Sequence, residues 1–194
     1  FYAAGFDYIG HGDGESEIVN LLKFGKSRPN PMGSLEDLPL PALDALPLDI
    51  YEHLGIPHAG VLPPGTKFAS IQTSRGCQDR CSFCHISVEK QNGEGYLRSF
   101  SMERIGEYVD YAVSLGVQRL YFEDDNLFFN KNRLCALGPY LKRRGLSYSN
   151  VNGGNLRFLF KKHGNQYEVD EFFIGILADF GLEELVLPFE SRSV

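Results

Sequence analysis

From Lys67 onward the sequence alternates between short apolar runs and amphipathic stretches, and this limits the chain to a parallel α/β fold. Lys67–Gln72 alternates and reads as a first strand. Ser101 is placed to cap a helix over Met102–Leu115, whose stripe of Ile105, Tyr108, Val109, Ala112 and Val113 has helical spacing, with Gly116 as its stop. Val117–Phe122 is the second predicted strand. A helix follows over Lys131–Arg144, closed by Gly145, with Gly138-Pro139 expected to kink or interrupt it. Leu146–Val151 forms the third strand, and the basic, aromatic stretch Arg157–Tyr167 reads as an inserted loop. Asp170 caps a helix running to Phe180, Gly181 stops it, and Glu184–Phe189 is the fourth strand. Strands joined through helices imply right-handed crossovers and one parallel sheet.

Polar residues collect after each of these strands. The first delivers the segment Thr73-Ser74-Arg75-Gly76-Cys77-Gln78-Asp79-Arg80-Cys81-Ser82-Phe83-Cys84-His85, the second Glu123-Asp124-Asp125-Asn126, the third Asn152 and Asn155, and the fourth Glu190 and Ser191. Ligands of parallel α/β folds bind beyond the carboxyl ends of the strands, so four such clusters equip one edge for a cofactor. Cys77, Cys81 and Cys84 follow a C-x3-C-x2-C spacing that puts three soft thiolates on one loop. That suits a shared metal centre better than a disulfide. An iron–sulfur cluster with one open iron and a zinc knuckle completed by His85 are both compatible with the spacing. Cys135 lies within a predicted helix and reads as a small buried thiol. Asp125 and Asn155 also have local uses, as a cap and as a turn residue. Arg98 suits a solvated surface, and His11, His53, His58 and His163 show no partner spacing.

Upstream, Phe6–Gly10 reads as a short strand entering the turn His11-Gly12-Asp13-Gly14, and Glu15–Phe24 as an amphipathic helix with Ile18, Leu21 and Leu22 on one face. Eight of the ten prolines fall between Pro29 and Pro64, which makes residues 25–66 an extended linker whose leucines pack along a surface. One short helical turn is expected at Asp49–Leu54. The expected organisation is 1–24 as an α/β remnant, 25–66 as linker, and 67–194 as the core. The chain starts at Phe1 and stops after an apolar strand, and is read as a piece of a longer protein.

The string TSRGCQDRCSFCHI resembles the signature of the radical S-adenosylmethionine superfamily, in particular the branch with an N-terminal cobalamin-binding domain. YIGHGDGESEIVNLL is similar to the end of that domain, although its Asp-x-His-x-x-Gly pattern is absent. FEDDN, NGGNLRF and FESRS resemble the branch's segments after later strands. The resemblance implies a partial (β/α) TIM-like radical SAM barrel, truncated after about four βα strands and preceded by the linker and the tail of a Rossmann-like domain. It implies a 4Fe-4S cluster on Cys77, Cys81 and Cys84, with S-adenosylmethionine on its open iron. Phe83 would lie beside the adenine. Glu123, Asp124 and Asp125 would meet the methionyl ammonium, and Asn152, Glu190 and Ser191 the carboxylate and ribose. The implied reaction is reductive cleavage to a 5′-deoxyadenosyl radical that abstracts hydrogen from a small-molecule substrate. An electron donor such as flavodoxin or ferredoxin would serve it, and methyl transfer would follow where an upstream domain supplies cobalamin. A methylthiotransferase is a further enzyme in the superfamily. From a different class, a non-catalytic module keeping an Fe–S or zinc site for folding is also compatible.

Composition sets outer bounds. Hydrophobic content of 43% and charged content of 23% are those of an ordinary globular chain. A net charge of −6 argues against a nucleic-acid binder. No apolar run reaches transmembrane length, and no signal peptide is expected. Clustered cysteines point to a reducing, cytoplasmic setting.

Overall fold

A computed structural model describes residues 4–8, 13–25, 34–54, 62–91, 93 and 95–188. The chain divides into two compact units, Phe1–Pro39 with Asp79–Tyr96, and Leu40–Gln78 with Leu97–Val194. The first unit holds α1 (Gly14–Phe24). Glu15 and Glu17 lie in its first turn, where acids favour the positive helix end, and Lys23 in its last. Gly25 closes α1 at φ 63°, donating its N–H to the Leu21 carbonyl at 2.8 Å. The face expected to be apolar is exposed at Ile18 and Leu22. The strand expected at Phe6–Gly10 lies only partly in the described residues, where Phe6–Tyr8 is not a strand.

The second unit carries α2 (Leu48–Leu54), β1 (Phe68–Ile71) and β2 (Ser74–Arg75). The chain then visits the first unit through α3 (His85–Gln91). It returns as β3 (Arg98–Ser99), α4 (Met102–Ser114), β4 (Arg119–Phe122), α5 (Lys131–Arg143) and β5 (Ser147–Asn150). The hairpin β6 (Phe160–His163) and β7 (Gln166–Val169), then α6 (Glu171–Asp179) and β8 (Leu182–Glu184), follow. The main sheet has the order β1-β4-β5-β8, all parallel, with Ala69 opposite Leu120 and Leu120 opposite Tyr148. Its edge strands β1 and β8 pair with no further strand among the described residues. This open parallel layer is consistent with a Rossmann-like α/β fold. The expected partial TIM-like barrel is corrected to this single open layer of four parallel strands among the described residues.

The helices form where their patterns place them. Ser101 Oγ accepts the Arg104 N–H at 3.0 Å, and α4 buries Ile105, Tyr108, Val109 and Ala112. These join Leu134, Leu137 and Leu141 of α5, Phe173 and Leu177 of α6, and Ala69, Ile71, Leu120, Phe122 and Tyr148 of the sheet in one core. Side chains on the alternate positions of the same strands are mostly polar, Ser70, Arg119, Ser147 and Ser149, with Phe68 and Tyr121 in ring contact among them. Arg119, only 2% exposed, donates to Ser149 Oγ at 2.6 Å, meets Glu184 at 3.1 Å, and also pairs with Glu183. Pro139 sits inside α5 without dividing it, which corrects the expected interruption.

The fourth strand is shorter and earlier than Glu184–Phe189. Its register shifts between Tyr148 and Ser149, and the Asn150 side chain takes up both backbone groups of Val186, at 2.9 and 3.0 Å. A side chain thus replaces the ladder, and the described run after Glu184 is not a strand. Phe189, Glu190 and Ser191 lie outside the described residues.

Candidate functional site

Past the carboxyl ends of β1, β4 and β5, three segments of the second unit meet. The residues after β4 grip those after β1 one by one. Asp124, 1% exposed, accepts the Thr73 N–H at 3.1 Å, the Thr73 hydroxyl at 2.7 Å and the Ser74 hydroxyl at 2.5 Å. Asp125 accepts the Gly76 N–H at 2.7 Å. Asn126 directs its Nδ2 to Cys77 Sγ at 3.8 Å. Gly76 sits at φ 77°, a conformation that favours glycine, and this turns its N–H to the Asp125 carboxylate. Glycine here is therefore fixed by the grip itself.

Arg133 enters from the first turn of α5 and donates to the Thr73 carbonyl, which also accepts the Phe100 N–H at 3.0 Å. Both backbone groups of Thr73 are thereby held. A cation in a first turn opposes the helix dipole, and Lys131 and Arg133 stand there together. That was the signal in the sequence that buried acids wait for them: Lys131 reaches Asp170 at 2.7 Å, and Arg133 lies against Asp124. Burial pushes the Asp124 carboxyl above its ordinary value, while the Ser74 and Thr73 hydroxyls, the Thr73 N–H and the Arg133 charge pull it back. Burial likewise lowers Arg133, and Asp124 counters it.

Beside this clamp, Ser70 Oγ donates to Glu123 Oε1 at 2.9 Å, and the Asn152 amide donates to the Glu123 carbonyl at 2.8 Å. Gly154 donates to the Val186 carbonyl at 3.0 Å and leaves no room for a side chain against Phe128. Asn126 is 3% exposed, and its Oδ1 is buried with no hydrogen-bond partner among the described residues. Glu123, Asp124, Asp125 and Asn152 thus converge on one edge. Phe83 belongs to the first unit and is 68% exposed. Thr73, Ser74, Asn126 and Arg133 hold the edge together although the sequence reading gave them no individual role.

The division between units falls between Gln78 and Asp79, so Cys77 belongs to one unit and Cys81 and Cys84 to the other. Among the described residues no group of three or more His, Cys, Asp or Glu is placed to hold a metal ion. None of the four cysteines is disulfide-bonded.

No family model matches the chain. It is similar to an uncharacterized methyltransferase of Pyrococcus horikoshii, 32% identical over 166 residues, covering 74% of this chain and 33% of that protein. It is also similar to the cytidylyl-2-hydroxyethylphosphonate methyltransferase of Streptomyces wedmorensis, 22% identical over 169 residues, covering 86% and 29%. An uncharacterized methyltransferase of Synechocystis is 28% identical over 147 residues, covering 72% and 24%. The chain spans about a third or less of the length of the curated relatives it matches.

These findings correct the reading from the motifs. The relatives are named for methyl transfer, no radical SAM family model matches, and the described side chains form no metal-holding group. The superfamily assignment, the 4Fe-4S cluster, the 5′-deoxyadenosyl radical, its electron donor and cobalamin are replaced by similarity to methyltransferases. No helix among the described residues is long and apolar enough to cross a membrane.

Proposed function

We propose that the chain is part of a methyltransferase that binds S-adenosylmethionine at the carboxyl edge of its parallel sheet and modifies a small molecule in the cytoplasm. The names of the relatives support methyl transfer. The edge itself is supported by one observation above the others, the orphaned Asn126 Oδ1, a buried acceptor beside the half-buried Glu123 and Asp125. A buried acceptor without a donor is costly unless a ligand supplies one. The ammonium and ribose hydroxyls of S-adenosylmethionine are such donors. Glu123 supplies a carboxylate for the ammonium, and the exposed Asn152 an amide for the carboxylate. When bound, the cofactor supplies an activated methyl group on its sulfonium; the residues of the chain bind and orient it.

Calorimetric titration of the whole chain with S-adenosylmethionine tests this. Saturable binding is expected, weakened at least tenfold in Glu123→Gln, since a charge-assisted hydrogen bond contributes about 1.5–3 kcal/mol. Asn126→Leu, which removes the orphan acceptor, should weaken binding as well. Absence of binding, or binding untouched by both substitutions, overturns the assignment.

A further inference from the structure

We infer that Asp124 is a positioning residue: through Thr73 and Ser74 it sets the conformation of segment 73–77, and so controls how Cys77 is presented at the edge of the sheet. The geometry carries this without help from any ligand. Asp124 commits both carboxylate oxygens to Thr73 and Ser74 in three hydrogen bonds, and it is 1% exposed. It has little left to offer a cofactor. Asp124 therefore acts on its neighbours in the chain, while Asn126 keeps a buried acceptor, its Oδ1.

The grip is directional. Arg133 holds the Thr73 carbonyl from α5, and β2 pairs Ser74 with Ser99 and Arg75 with Arg98. Residues 73–75 are thus fixed by Asp124, Arg133 and β3 together. Past them, Gly76 donates its N–H to Asp125 at 2.7 Å, and Cys77 Sγ meets the Asn126 amide at 3.8 Å and the Gln78 side-chain oxygen at 3.9 Å. The two residues nearest the thiol inherit their position from the segment behind them. Loss of Asp124 should release Cys77 first and leave the distant core in place.

Cys135 provides the internal reference, a half-buried thiol on α5 in the same unit. Iodoacetamide labelling of the whole chain, read peptide by peptide by mass spectrometry, gives both thiol rates in one sample. In Asp124→Asn, which keeps the side-chain shape but loses the charge and an acceptor, Cys77 should label at least tenfold faster while Cys135 stays within twofold. Ser74→Ala removes one of the three bonds in a variant certain to disturb less, and should give about a threefold rise at Cys77 alone. Repeating the rates up to about pH 9.5, beyond the ordinary thiol pKa of about 8.5, separates the two possible causes. A change in position persists at the plateau, whereas a change in thiol ionisation fades there. Equal acceleration of Cys77 and Cys135 would show general loosening, and an unchanged Cys77 rate in both variants would show that Asp124 positions nothing; either result overturns the inference. Titration of Asp124→Asn with S-adenosylmethionine rests on the proposed function, and a tenfold loss of affinity is expected there. If the unaltered chain binds no S-adenosylmethionine, the proposed function fails while the labelling result still decides the role of Asp124.

Discussion

At Gly138, in the middle of α5, an added Cβ would run into the ring of Phe180, whereas at Gly175 in α6 it would meet nothing within 4 Å. Alanine gains up to about 1 kcal/mol over glycine inside a helix, while forcing a methyl into a filled core costs about 1–3 kcal/mol. Gly175→Ala should therefore stabilise the chain by about 0.5–1 kcal/mol, and Gly138→Ala should destabilise it by about 1–2 kcal/mol, in urea unfolding. Shifts of the same sign would mean that α5 does not pack on Phe180. Arg119 is the other single residue on which much depends. Removing it as Arg119→Met leaves Glu183 and Glu184 without their cation. A fully buried pair broken this way costs about 3–5 kcal/mol, and the partly solvated acids reduce that to about 2–3 kcal/mol, read in the same unfolding experiment. At this scale the sequence was only half legible. The acids after β4 were visible as a cluster, but Asp124 was expected to meet a cofactor, and its partners Thr73 and Ser74 lie fifty residues upstream, beyond any local pattern.

Among the elements, α6 depends on its cap. Asp170 accepts the Phe173 N–H at 3.0 Å and receives Lys131 at 2.7 Å and Lys161 at 2.9 Å. Lys131 foremost, then Lys161 and the Phe173 N–H, hold its carboxyl well below the ordinary 3.8, with burial opposing them. A lowered folded pKa means that the stabilisation is complete above the unfolded value and fades as pH falls below it. The melting temperature should drop as pH is lowered below 3.8, and Asp170→Asn should start lower at neutral pH but lose less over that acid range. Equal acid slopes in a calorimetric series would remove Asp170 from the account. The cap was readable because Asp precedes an apolar helical run. The hairpin β6–β7 was not recognised, although Gly164-Asn165 between two short runs is a hairpin turn signal. All of β7 and most of β6 are exposed, so no buried face imposed the alternation that marks a strand. The fourth strand was misplaced for a different reason. Its apolar run 185–187 has strand composition, yet the Asn150 side chain occupies the Val186 backbone.

Across the whole molecule, local stability should divide as the burial does. All of β4 and three of the four residues of β5 are buried, and α4 and α5 pack on them in the core. The parallel α/β alternation was legible because helices with apolar stripes at helical spacing recur between short strand-like runs. The unit boundary inside the cysteine loop was not, because nothing in the local composition marks Gln78 and Asp79. In the first unit α3 buries no residue, and α1 exposes Ile18, Val19 and Leu22. Amides open with free energies that follow the apolar area their surroundings bury, from near zero at loosely packed helices to the global value in a core. Hydrogen–deuterium exchange of the chain should therefore show α1 and α3 exchanged early, well before β4, β5 and α4. Reductant should leave the pattern unchanged, since no disulfide joins the segments. Exchange in α1 and α3 as slow as in β4 would mean that their apolar faces are covered in solution, and that stability is shared evenly along the chain.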